Sequence, residues 1–107
     1  MSEPKSAGTN QPRITREDGP TRGRYVAKVD GIDAEAELVY THAGPRLLTA
    51  DHTSVPDAFR GRGIGRLLAT RMVEDARKEG LKIRALCPFV NAERKKHPDW
   101  ADVFEEA

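Results

Sequence analysis

One cysteine, Cys87, is all the sulfur chemistry this 107-residue chain offers besides methionine. An intrachain disulfide is therefore excluded, and with it a disulfide-built secreted domain. Long hydrophobic runs are also missing, so no segment reads as a membrane-spanning helix. The opening residues Met1-Ser2-Glu3-Pro4 lack the basic-then-apolar pattern of a signal peptide, and a cytoplasmic location is the expectation. Charge of one sign is scarce too. Lys and Arg number 18 against 17 Asp and Glu, a formal net charge of +1. No global field draws such a protein to nucleic acid or membrane, so electrostatic function must come from a local cluster. Aromatic residues are 6% of the chain, too few to supply a row of base-stacking platforms. The three histidines and one cysteine show no metal-ligand spacing, and no metal is expected.

What is present suits one small domain. Hydrophobic residues at 37% allow a single modest core under a charged surface. Residues 1–22 are polar and rich in Gly, Pro, Ser and Thr, with Ile14 the only sizeable aliphatic inside the stretch. Such a segment buries too little to offset its ordering entropy, so a flexible tail is expected there and a folded domain over 23–107. Residues 25–29 form a β-rich run, and Asp30-Gly31 is a signal for a tight hairpin turn. Ile32, Ala34, Ala36, Leu38 and Tyr40 then alternate with Asp33, Glu35 and Glu37, predicting a strand with one buried and one acidic face. His42-Ala43-Gly44-Pro45 breaks the chain, and residues 46–55 read as a third strand.

Leu67, Leu68, Met72, Val73 and Ala76 recur at helical spacing, and Gly80 supplies a stop. Residues 81–86 are a fourth strand ending at Cys87. Pro88 suits the first position of a short helix reaching about Lys96, with a final turn after Trp100. Three strands, a helix, a strand and a helix make an α/β (α+β) domain with a mixed sheet.

Between the third strand and the long helix lies Arg60-Gly61-Arg62-Gly63-Ile64-Gly65-Arg66. Its glycines let the backbone turn sharply and come close to a ligand. The helix start behind them offers unpaired N–H groups and the positive end of a dipole, a natural phosphate site. The arginines add forked donors. The Walker pattern is absent for want of its lysine, and the dinucleotide fingerprint fails because Arg66 stands where a glycine is needed. A glycine-rich turn under a solvated arginine cluster is the plainer alternative.

The string Arg60-Gly61-Arg62-Gly63-Ile64-Gly65 matches Arg/Gln-x-x-Gly-x-Gly/Ala, and from His52 to Leu68 the chain resembles the GNAT N-acetyltransferase superfamily over strand, loop and helix. Leu86-Cys87-Pro88-Phe89-Val90 and His97-Pro98 resemble a compact branch carrying a cysteine where a strand meets a helix. The resemblance implies a reduced GNAT fold. Its splayed, mostly antiparallel sheet is followed by one long helix after the cofactor loop and a short C-terminal helix. It also implies acetyl-coenzyme A as co-substrate, with pyrophosphate on Arg60, Gly61, Arg62, Gly63, Ile64, Gly65 and Arg66. The pantetheine arm would lie along Thr53 and Val55, between the third and fourth strands.

In that setting Cys87 has three roles open to it: acetyl acceptor, proton donor to the departing sulfur, or packing near the cofactor. Family enzymes often use a tyrosine as that acid, whereas Tyr25 and Tyr40 both precede the loop here. His52 is the candidate base, because an imidazole ordinarily titrates near neutrality. A histidine hydrogen-bonded within the sheet is the competing reading. The helices that larger members insert between their first strands are lacking, so the acetyl end is expected to be open. It would admit an amine acceptor, either a small amine or a protein lysine. The expected state is a monomer or weak dimer without nucleic-acid or membrane partners. A coenzyme A-binding module with little catalysis is the alternative function, and nucleic-acid binding by the arginines ranks last.

Overall fold

The computed structural model describes residues 12–105. Five strands form one sheet in sequence order: β1 (Arg13–Asp18), β2 (Arg22–Lys28), β3 (Glu35–Gly44), β4 (Leu47–Ser54) and β5 (Lys82–Ala85). Neighbours are antiparallel except β4 and β5, which run parallel because the helix α1 (Ile64–Glu79) carries the chain back between them. A second helix, α2 (Pro88–Lys95), follows β5. The mixed, mostly antiparallel sheet with one long and one short helix is the expected architecture, with one strand more.

That extra strand is β1, which lies inside the stretch assigned to a flexible tail; residues 1–11 fall outside the described part. Composition misled because β1 is held less by aliphatic burial than by Arg16. Its guanidinium lies 5.4 Å from the ring centres of both Tyr25 and Tyr40. Its Nε donates to the Tyr40 hydroxyl at 2.9 Å, and Nη1 reaches Glu79 at 2.7 Å. A long side chain can thus cover aromatic faces while its head stays paired. Gly23, opposite Tyr40, leaves the room: a Cβ there would lie 2.5 Å from the Tyr40 hydroxyl and 2.7 Å from the Glu17 carbonyl oxygen.

The turn signal at Asp30-Gly31 is correct in place but not in register. Ile32 N–H donates to the Val29 carbonyl, yet pairing starts only at Lys28 and Glu35, so a six-residue loop replaces the tight hairpin. The slip is two residues, which preserves every side chain's face. It sets Tyr25 opposite Leu38 rather than Ala36, giving the ring a larger neighbour. Ala36, Leu38 and Tyr40 are buried as the alternation predicts. On the opposite face Arg24 bridges Glu17, Glu35 and Glu37 across three strands. β3 runs on through His42 to Gly44, so the expected break shrinks to a turn at Pro45 and Arg46.

Helix α1 buries Ile64, Leu68, Met72, Val73 and Ala76 against Tyr25, Leu38, Leu48 and Ile83. Leu67, placed in that stripe by its spacing, is instead exposed on the helix flank. Gly80 ends the helix in the left-handed region at φ 71°, its N–H bonded to the Ala76 carbonyl. The segment after α2 packs Trp100, Val103 and Phe104 onto the core and bridges Phe104 to Ile83, covering part of the outer edge of β5.

Candidate functional site

The site is made where β4 and β5 part. Their pairing runs from Leu47 and Lys82 to Ala50 and Ala85 and then stops. Leu86 and Cys87 both donate their N–H groups to the Ala50 carbonyl, at 3.0 Å each. One residue later, β4 bulges. Val39 pairs with His52 but Tyr40 with Ala50, leaving Asp51 as the additional residue. Hydroxyls of Thr41 and Thr49 donate to the Asp51 carboxylate at 2.5 and 2.7 Å and hold the bulge in shape. Beyond it β4 continues to Ser54 while the segment after β5 enters α2, so a wedge opens between them.

The arginine–glycine loop closes one side of this wedge. A helical turn at Asp57–Phe59 leads into it, and Arg60 is tied back to Asp57 at 2.8 Å. Gly61 and Gly63 take φ values of 80° and 68°, which a side chain would resist. Gly63 is the N-cap of α1 and has no side chain to offer. The first intrahelical bond runs from Leu67 N–H to the Gly63 carbonyl. The N–H groups of Ile64, Gly65 and Arg66 are left without a helical acceptor, at the positive end of a 16-residue helix. Gly65 serves a different need. A Cβ on it would lie 2.5 Å from Cζ of Phe89, so the missing side chain lets α1 and α2 approach.

A cavity of about 340 Å3 results. Thr53 lines it from β4 and Val55 from just past the strand's end, Phe59 to Arg66 (apart from Arg62) from the loop and helix start, and Phe89 and Glu93 from α2. Of the nine residues assigned to cofactor binding, the structure brings eight to this cavity: Thr53, Val55, Arg60, Gly61, Gly63, Ile64, Gly65 and Arg66. Arg62 is exposed outside the lining, its N–H spent on the Phe59 carbonyl at 3.2 Å.

The two candidate catalytic residues do not reach the cavity wall. Cys87 is the N-cap of α2 with Pro88 at the first helical position, as its sequence predicts, and is 3% exposed. Its sulfur sits 3.3 Å from the Thr53 hydroxyl, so Thr53 stands between thiol and cavity. His52 is exposed and absent from the lining; strand alternation turns it to the face opposite Thr53. The tyrosines are engaged elsewhere. Tyr25 donates to Asp75 at 2.9 Å and Tyr40 to Asp18 at 2.5 Å. Burial, helped by that Asp18 contact, pushes the Tyr40 hydroxyl up to about 12. Among the described residues no group of His, Cys, Asp and Glu could hold a metal ion, and no helix is long and apolar enough to cross a membrane.

Two cavity residues escaped the sequence reading. Phe89 and Glu93, four apart on α2, share one face. Glu93 hides in Asn91-Ala92-Glu93-Arg94-Lys95-Lys96, which reads as a solvated helix surface. The spacing from Phe89 is the one signal that could have set it apart. Its side chain is 6% exposed, and Oε1 has no hydrogen-bond partner.

This geometry has counterparts. A family model described as GCN5-related N-acetyl-transferase matches residues 24–103. Protein NATD1 of Mus musculus is 33% identical over 95 residues, covering 89% of this chain and 86% of the relative. Protein NATD1 of Homo sapiens is 34% identical over 77 residues, covering 72% and 68%. The solution structure of a GCN5-like protein from Staphylococcus aureus superposes with a TM-score of 0.68 at 30% identity, over 89% of both chains. Nourseothricin acetyltransferase is similar with a TM-score of 0.51 and 32% identity, over 60% of this chain and 39% of that one. With a family model matching most of its length and a relative aligned nearly end to end, the chain belongs to the GCN5-related N-acetyltransferase family.

Proposed function

We propose that the protein binds acetyl-coenzyme A in the wedge and transfers the acetyl group to an amine, a lysine on a protein surface being the acceptor class that an open site suits. The observation carrying this reading is the set of free N–H groups at Ile64, Gly65 and Arg66, flanked by Arg60 and Arg66 and opening into a cavity that reaches Thr53. Donors of that kind fit a pyrophosphate. The mostly apolar wall of Val55, Phe59, Ile64 and Phe89 fits an extended arm leading toward the wedge apex. Only a six-residue loop joins β2 and β3, which supports an open acetyl end and little selection among small metabolites. The amine lone pair attacks the thioester carbonyl and the carbon–sulfur bond breaks. The amine loses a proton to water, and the coenzyme sulfur takes one up.

Cys87 then has a supporting role, its thiol fixing the Thr53 hydroxyl on the cavity wall. Burial behind Thr53 weighs against an acetyl-cysteine intermediate, and exposure on the far face weighs against His52 as the base. A second reading, a coenzyme A-binding module with little turnover, draws on the same facts. The titratable side chains lining the cavity are Arg60, Arg66 and Glu93, with neither tyrosine nor histidine among them. The protein is proposed to work in the cytoplasm, as a monomer or weak dimer.

Titrating acetyl-coenzyme A into isotopically labelled protein tests the reading. Backbone amide shifts are expected at Gly61, Gly63, Ile64, Gly65 and Val55. Stationary amides at millimolar ligand would sink it. Binding with no acetylation of any amine or lysine peptide would leave the binding module standing. An acetyl group mapped to Cys87 by mass spectrometry would restore the covalent route.

A further inference from the structure

Glu93 is charged, buried and half-satisfied, and the family reading gives it no task. Its Oε2 lies 3.4 Å from Lys96 Nζ, one turn away. Its Oε1 lies 3.5 Å from Arg66 Nε, close enough for charge balance, yet it accepts no hydrogen bond. His97 does not fill the gap, since its Nδ1 is 4.0 Å from Oε1 and 2.9 Å from the Glu93 backbone oxygen. A buried carboxylate oxygen left unpaired is costly and rare in folded proteins. Glu93 is one of the residues lining the cavity, together with the start of α1 and Thr53.

We propose that Glu93 Oε1 is a recognition point for the middle of the ligand, accepting a hydrogen bond from an N–H or O–H donor in the arm that joins the phosphates to the thioester. The inference rests on the coenzyme A reading of this cavity. A cationic group is the poorer occupant, because Arg66 and Lys96 already neutralise the carboxylate. A second anion would be repelled. A neutral donor relieves the unpaired oxygen without adding charge, and the amides and hydroxyl of a pantetheine arm are donors of that class. Phe89, stacked over Gly65, forms the apolar wall beside this oxygen. Glu93 therefore contributes specificity beside the mostly apolar wall of Val55, Phe59, Ile64 and Phe89.

The experiment measures coenzyme A affinity by calorimetry for wild type, E93A, R66A and the double variant. E93A is expected to weaken binding about ten-fold, the loss typical of a hydrogen bond to a charged group. The same factor should appear in the R66A background. E93Q, which keeps the volume and one acceptor oxygen, should lose about three-fold and confirms that any larger loss does not come from unfolding. An E93A effect that vanishes in the R66A background would mean that Glu93 acts by steering Arg66, and overturns the proposal. An unchanged affinity overturns it as well. Wild-type protein that binds no coenzyme A removes the functional reading and this inference together, an outcome distinct from the other two.

Discussion

Two polar regions of this small protein are built on opposite principles. Each charged side chain of β1 finds a partner inside the chain. Arg16 is bound by Tyr40, Asp75 and Glu79, Tyr25 by Asp75, and Asp18 by Tyr40 and His42. Around the wedge, groups are left waiting. Three helix-start amides have no acceptor, and Glu93 Oε1 has no donor. A saturated network stabilises and discriminates against nothing outside itself. An unsaturated one carries a standing cost that a ligand can relieve, which is why the second region, and not the larger first one, reads as the site.

The contrast can be broken deliberately. Gly23→Ala should have the largest effect, because the new Cβ meets both the Tyr40 hydroxyl and the Glu17 carbonyl oxygen and the backbone atom cannot swing aside. A loss of about 3 kcal/mol in denaturant unfolding is expected, with coenzyme A affinity of the folded protein unchanged. Weakened affinity at full occupancy of the fold would show that the two regions are coupled. Gly63→Ala should do the reverse. There is open space at that position, but φ is 68°, so stability falls by only about 1 kcal/mol while ligand affinity drops as the loop relaxes.

The smallest effect is one of pH. The Tyr40 hydroxyl, then His42 and Arg16, hold the Asp18 carboxyl below its usual range. A depressed carboxyl stabilises the fold above its ordinary range near 4, and that contribution disappears as pH falls through the lowered value. The acid limb of the stability curve should therefore flatten in Asp18→Asn. Asp18 is half exposed, so solvent screening keeps the effect modest. An unaltered acid limb would show that β1 is held by Arg16 without help from this carboxylate.

How much could be read from residues alone follows the same division. Local rules located α1 and α2, because Gly63, Gly80 and Pro88 each satisfy a backbone demand that few other residues meet. Alternation found the buried face of β3, and the register slip of two left that face intact. β1 was missed because an arginine occupies the inward position where an aliphatic residue was sought, and its two tyrosine partners lie 9 and 24 positions away. The loop pattern brought eight residues to one cavity, since they are nearly contiguous in sequence. Cys87, His52 and Glu93 turned out differently because their placement depends on a strand's face, a bulge and the packing of two helices. None of those is written locally.

The double acceptance at the Ala50 carbonyl has a mechanical meaning. It is the last stitch of the β4–β5 seam, and beyond it the two strands share no ladder. A narrow, extended molecule slipping between them need not pull any sheet hydrogen bonds apart. The gap is part of the resting molecule, and entry is a matter of diffusion into an opening that already exists.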